Sequence, residues 1–119
     1  MHALSLNATR AFLGQWNRRK ALALRAERRL ALSACATLQS HLEEVRALLR
    51  SGRSLELSDE LRGYASRFEA KASTLLRDAP ARRDGDPAHW QALHRIAQHF
   101  NRDYEAAREA LVNPALDRQ

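Results

Sequence analysis

The 119-residue sequence predicts an all-α fold, an antiparallel three-helix bundle with an overlong basic first helix. Three observations point there. Ala and Leu dominate the apolar residues while the β-branched set is only Val45, Val112, Ile96, Thr9, Thr37 and Thr74, a balance that suits helix interiors better than pleated surfaces. Apolar residues recur at alternating spacings of three and four over long stretches, which puts them on one helical stripe. Prolines and glycines are concentrated at two breaks, near Gly52 and across Ala79–Pro87.

The first helix is expected from Asn7 to Ser51, because that stretch holds no proline and one glycine, Gly14, and Gly52 is placed to cap its end. Its second half carries Ala31, Cys35, Leu38, Leu42, Val45 and Leu49 on one stripe. Arg46 and Arg50 lie near its C-terminal end, where the helix dipole favours cations. Arg53 to Leu57 reads as a connection. Ser58 then caps a second helix with Asp59 and Glu60 in its first turn, and Leu61, Tyr64, Phe68, Ala72 and Leu75 form the buried stripe. After the break, Asp86-Pro87 supplies an N-cap and a first-turn proline for a third helix. Trp90, Leu93, Ala97, Phe100, Tyr104, Ala107 and Leu111 run along it, and Asn113-Pro114 ends it.

At about 1.5 Å per residue the three helices span roughly 66, 30 and 39 Å. They do not match as a closed bundle. The first helix is expected to project about 27 Å past the others; the alternative is a four-helix variant in which it breaks near Gly14–Asn17 and folds back. The chain is read as one helical domain over 1–119, with a basic extension over 1–29 and a bundle over 30–119.

The net charge of +6 resides entirely in that extension. Residues 1–29 carry Arg10, Arg18, Arg19, Lys20, Arg25, Arg28 and Arg29 against Glu27 alone, and the rest of the chain is balanced. On a helical wheel Phe12, Leu13, Trp16, Ala23 and Leu30 share one side, and Arg10, Arg18, Arg25, Arg28 and Arg29 gather on the other. Lys20 and Glu27 interrupt the apolar stripe seven residues apart. Two copies crossing antiparallel near Ala23 and Leu24 would pair Lys20 of each with Glu27 of the other, so a homodimer is expected through Phe12, Leu13, Trp16, Lys20 and Glu27. The arginines Arg18, Arg19, Arg25, Arg28 and Arg29 form the candidate surface for an anionic partner.

Little chemistry is encoded beside this. Cys35 is the only cysteine, which excludes an intramolecular disulfide and a thiolate zinc cluster. His89, His94 and His99 are five apart and fan around their helix, His41 with Glu44 is a lone pair, and no Glu-x-x-His occurs, so no metal site is expected. Neither a cofactor nor catalysis is expected either: isolated glycines build no phosphate loop, and Glu43-Glu44 and Asp59-Glu60 read as surface and first-turn charge. His94-Arg95 lacks the small residue and lysine that a phosphotransfer histidine needs.

No secretory signal is expected, and the longest uncharged run, Leu30–Leu42, falls short of the roughly 20 apolar residues of a membrane span. A cytoplasmic protein without integral membrane association is the expectation. The expected function is that of a non-catalytic interaction protein, an adaptor, assembly factor or chaperone-like module that binds another protein. The alternative is a nucleic-acid-binding accessory protein using the basic first helix.

Overall fold

The computed structural model describes residues 2–82 and 86–113, with side chains from residue 8 onward. Among these residues the chain is all-helical, with no strand and three α-helices: α1 over His2–Arg50, α2 over Asp59–Asp78 and α3 over Pro87–Val112. Residues 83–85 of the expected second break and Pro114 of the expected stop lie outside the described residues.

Helix α1 is 49 residues long and starts five residues before the predicted Asn7. It is helical straight through Gly14 and Asn17, so the folded-back four-helix alternative is not adopted. A single glycine costs a helix about 1 kcal/mol, too little to break one that continues on both sides.

The exit from α1 corrects a second expectation. Gly52 is not a left-handed cap, since no described glycine has positive φ. The helix ends at Arg50, and Ser51 turns the chain by taking extended backbone (φ −85°, ψ 159°), its hydroxyl donating to the Leu48 carbonyl at 2.8 Å. The expected loose connection is a 3-10 turn over Gly52–Glu56, followed by a buried Leu57. Arg62 clamps that turn from α2, its Nε donating to the Ser54 carbonyl at 3.2 Å and its Nη2 to the Leu57 carbonyl at 3.1 Å. Arg53 closes the far end of α3 by donating to the Val112 carbonyl at 2.9 Å, one of the acceptors a helix terminus leaves unpaired.

Both predicted N-caps form. The Ser58 hydroxyl accepts from the Leu61 N–H at 3.2 Å, and the Asp86 carboxylate accepts from the His89 N–H at 2.9 Å, with Pro87 opening α3.

The helices share one core, in which Ala31, Cys35, Leu38, Leu42 and Val45 of α1 meet Ala65, Phe68 and Ala72 of α2 and Trp90, Leu93, Ala97, Tyr104 and Leu111 of α3. Leu38, Leu42, Val45 and Leu111 are fully buried, each worth about 1.5–3 kcal/mol of apolar transfer. Leu49, Leu61, Tyr64, Leu75, Phe100 and Ala107 pack on its rim, only partly buried. Pairing along the helices fixes their directions. Glu27, Ala34 and Glu44 of α1 bond to Gln91, Asn101 and Arg108 of α3, so positions rise together. On α2 the order is reversed: Gln39 and Leu42 face Leu76 and Arg77, and Arg46 bonds to Glu69 at 3.1 Å and Ser73 at 2.7 Å. The α1–α3 interface is the most extensive and the α2–α3 interface the least.

The radius of gyration is 21.6 Å, against about 13–14 Å for a compact chain of this length, and the molecule measures 78 × 26 × 16 Å. The long dimension is that of α1, about 73 Å of helix.

Candidate interaction surface on the first helix

Burial on α1 begins at Ala31. From Ala8 to Leu30 every described side chain is exposed except Leu24 and Glu27, which are half-buried. The reason is geometric: the described contacts of this segment with the rest of the fold sit at its end, where Leu24 packs against the core, Glu27 Oε1 accepts from Gln91 Nε2 at 3.2 Å, and the Arg28 guanidinium lies 5.5 Å from the centre of the Trp90 ring. Upstream of Leu24 no described side chain of α1 is buried or packed against the core.

The uncovered stretch is not polar. Phe12 is 65% exposed, and Leu13 and Trp16 are each 47% exposed. Leu22 and Leu30 are also open to solvent. Lys20 partly shields Trp16, its Nζ sitting 3.7 Å over the ring one turn away, a cation–π contact at a helical i, i+4 spacing.

The structure brings Phe12, Leu13, Trp16 and Lys20 together on this segment. Glu27 is separate from them, turned to α3. A twofold register that pairs Lys20 with Glu27 of a second copy sets Trp16 against Ala31 and Leu13 against Ala34. Both alanines are already buried in the core, so that register requires α3 to move aside.

Arg18, Arg19, Arg25, Arg28 and Arg29 are all exposed, and none of them meets a carboxylate among the described residues. Arg18, Arg25 and Arg29 stand on the side opposite the core stripe, and Arg19 to one flank. Arg28 departs from the predicted group by lying over Trp90, where it supports the start of α3.

Elsewhere, several residues that tempt a chemical reading are engaged in packing. Asn101, 3% exposed, donates from Nδ2 to the Ala34 carbonyl at 3.1 Å. Its Oδ1 therefore faces His41 Nδ1 at 3.1 Å as an acceptor, which requires the hydrogen on Nδ1. The His41 ring lies 4.5 Å from that of Tyr104, and Glu44 beside them pairs with Arg108 at 3.0 Å. Burial, then the hydrogen bond to Glu44, pushes Tyr104 well above the usual phenol range. His89 Nε2 lies 3.2 Å from the Ala79 carbonyl, tying α3 to the end of α2. Cys35 is buried, which raises its thiol pKa. Among the described residues no three of His, Cys, Asp or Glu come together as a metal cluster, and no helix is long and apolar enough to cross a membrane.

Sequence reasoning missed Asn101, Ala65 and Leu57. Asn101 falls on the α3 stripe four residues after Ala97, a spacing that marks it as inward-facing despite its polarity. No family model, curated protein or solved structure matches this chain.

Proposed function

We propose that the protein is a non-catalytic interaction module: an antiparallel three-helix bundle, residues 30–119, that holds out the basic N-terminal half of α1 to bind another protein. The observation that carries this reading is the exposed cluster of Phe12, Leu13 and Trp16 on a helix whose second half supplies the core residues Ala31, Cys35, Leu38, Leu42 and Val45. Large apolar side chains gathered on one uncovered face are characteristic of contact surfaces rather than of solvated ones. Their position at the tip of an elongated molecule lets a partner reach them without opening the core.

A second reading is favoured by a separate observation, that Arg18, Arg19, Arg25, Arg28 and Arg29 meet no carboxylate among the described residues. Under it the protein is an accessory factor bound to double-stranded nucleic acid through its phosphates, with steep salt dependence and little sequence preference.

One experiment separates the two. A photo-crosslinking amino acid placed at Phe12, with exposed Ile96 as the control position, is activated in cells of the source organism. Protein adducts at position 12, absent at 96 and indifferent to nuclease, support the interaction module. Nuclease-sensitive adducts support the second reading, and identical patterns at both positions refute the first.

A further inference from the structure

The stripe positions on the first half of α1 repeat those buried in its second half. Leu13, Trp16, Lys20 and Leu24 each precede Ala31, Ala34, Leu38 and Leu42 by eighteen residues, which is five helical turns, so the two sets share the same angular positions. The later set is buried under the rest of the fold, and α3 supplies much of that cover, running in the same direction as α1 from its start at Pro87. The earlier set forms the same stripe, with Leu24 at its end packed against the core and Leu13, Trp16 and Lys20 left exposed. Its described exposed part, Ala8 to Ala23, is about 23 Å long, room for roughly fifteen residues of a helix end to end with α3.

Charge decides what that helix is. Arg10 and Arg19 stand roughly 80–100° to either side of the stripe, Lys20 lies on it, and the segment from Ala8 to Ala26 contains no acid. In paired helices the positions flanking an apolar seam choose the partner by charge. A second copy would bring the same cations against themselves. We infer that this face receives an acidic amphipathic helix from another protein, its apolar residues spaced like those of α3 and its carboxylates lying along Arg10, Arg19 and Lys20. The inference rests on the interaction reading above and adds to it the chemistry of the partner.

The test uses the full chain and three labelled synthetic 18-residue peptides. One is a Leu/Glu amphipathic helix, the second a scramble with the same composition and charge, and the third a Leu/Lys helix with the same apolar face. Fluorescence anisotropy is expected to show the Leu/Glu helix binding at least tenfold tighter than its scramble, with the Leu/Lys helix not binding. Leu13→Gln with Trp16→Gln should weaken the Leu/Glu helix at least tenfold while the thermal midpoint stays unchanged, because both side chains are exposed in the free protein. Equal binding of helix and scramble would reduce the effect to charge and overturn the proposal, as would equal binding by the double variant. Sedimentation showing a dimer that the double variant dissolves would give the face to a second copy, with the same consequence. Protein adducts at position 12 together with failure of the Leu/Glu helix would leave the interaction module standing and remove only the acidic helix.

Discussion

Asn101 is the residue on which the α1–α3 interface is most specific. Its amide is buried, spans two partners on α1 and leaves its carbonyl oxygen for His41. A buried polar group that loses a partner carries its desolvation cost without return, so Asn101→Ala is expected to destabilise the fold by about 1–3 kcal/mol. A urea titration would show it as a lowered midpoint at unchanged slope. Tyr64 poses the opposite case: its hydroxyl is buried and has no hydrogen-bond partner among the described residues. Burial, reinforced by Asp103, pushes its pKa from 10.0 to about 12. A phenol whose folded pKa is raised holds its proton better in the folded state. Its contribution is therefore fully present below pH 10 and is lost as pH rises towards about 12. Phenolate absorbance of the native protein should rise well above pH 10, later than for the urea-unfolded chain, and Tyr64→Phe should move alkaline unfolding to higher pH. The variant should cost nothing at pH 7, since it removes an unpaired group.

Among the elements, α2 and α3 were the most legible in sequence because each begins with a capping residue and carries its apolar residues at helical spacing. Asp86→Ala removes the oxygen that accepts from the His89 N–H and should cost about 1 kcal/mol, readable in the same urea titration. The end of α1 was less legible. Gly52 follows a long helix and invites the usual glycine cap, but the chain needs no left-handed residue there: Ser51 makes the turn in extended backbone and Arg53 and Arg62 satisfy carbonyls from a distance. Those bonds join residues eight and fifty-nine positions apart, and local spacing does not reveal them. The buried Leu57 escaped for the same reason, since a single leucine in a connection has no periodicity to declare its direction. On the candidate surface, Phe12, Leu13 and Trp16 could be found from their amphipathic placement. That Glu27 and Arg28 belong to the α3 interface could not, because it depends on where α3 begins relative to α1.

For the whole molecule, burial and length divide the chain unevenly. No described side chain before Leu24 enters or lines the core. A chain lacking residues 1–20 is therefore expected to keep its cooperative thermal unfolding, its midpoint shifted by less than about 4 °C, the change that roughly 1 kcal/mol would produce in a core of this size. Circular dichroism should record a loss of helical signal in proportion to the residues removed. A large fall in the midpoint would mean that the uncovered half of α1 supports the fold.

The common direction of α1 and α3 has a consequence for how the molecule meets anything charged. Their peptide dipoles add instead of cancelling, and both positive ends face the tip that already holds the entire net charge of +6. A 78 Å rod charged at one end and neutral along its body feels a torque as well as a pull in an anionic field. It therefore turns tip-first on approach, leading with the end of α1 that carries Phe12, Leu13 and Trp16. With a Debye length of about 8 Å at physiological salt, that turning happens only in the last moments of an encounter, so its effect belongs to the association rate and fades with added salt, while under the proposed interaction reading dissociation is left to the apolar face.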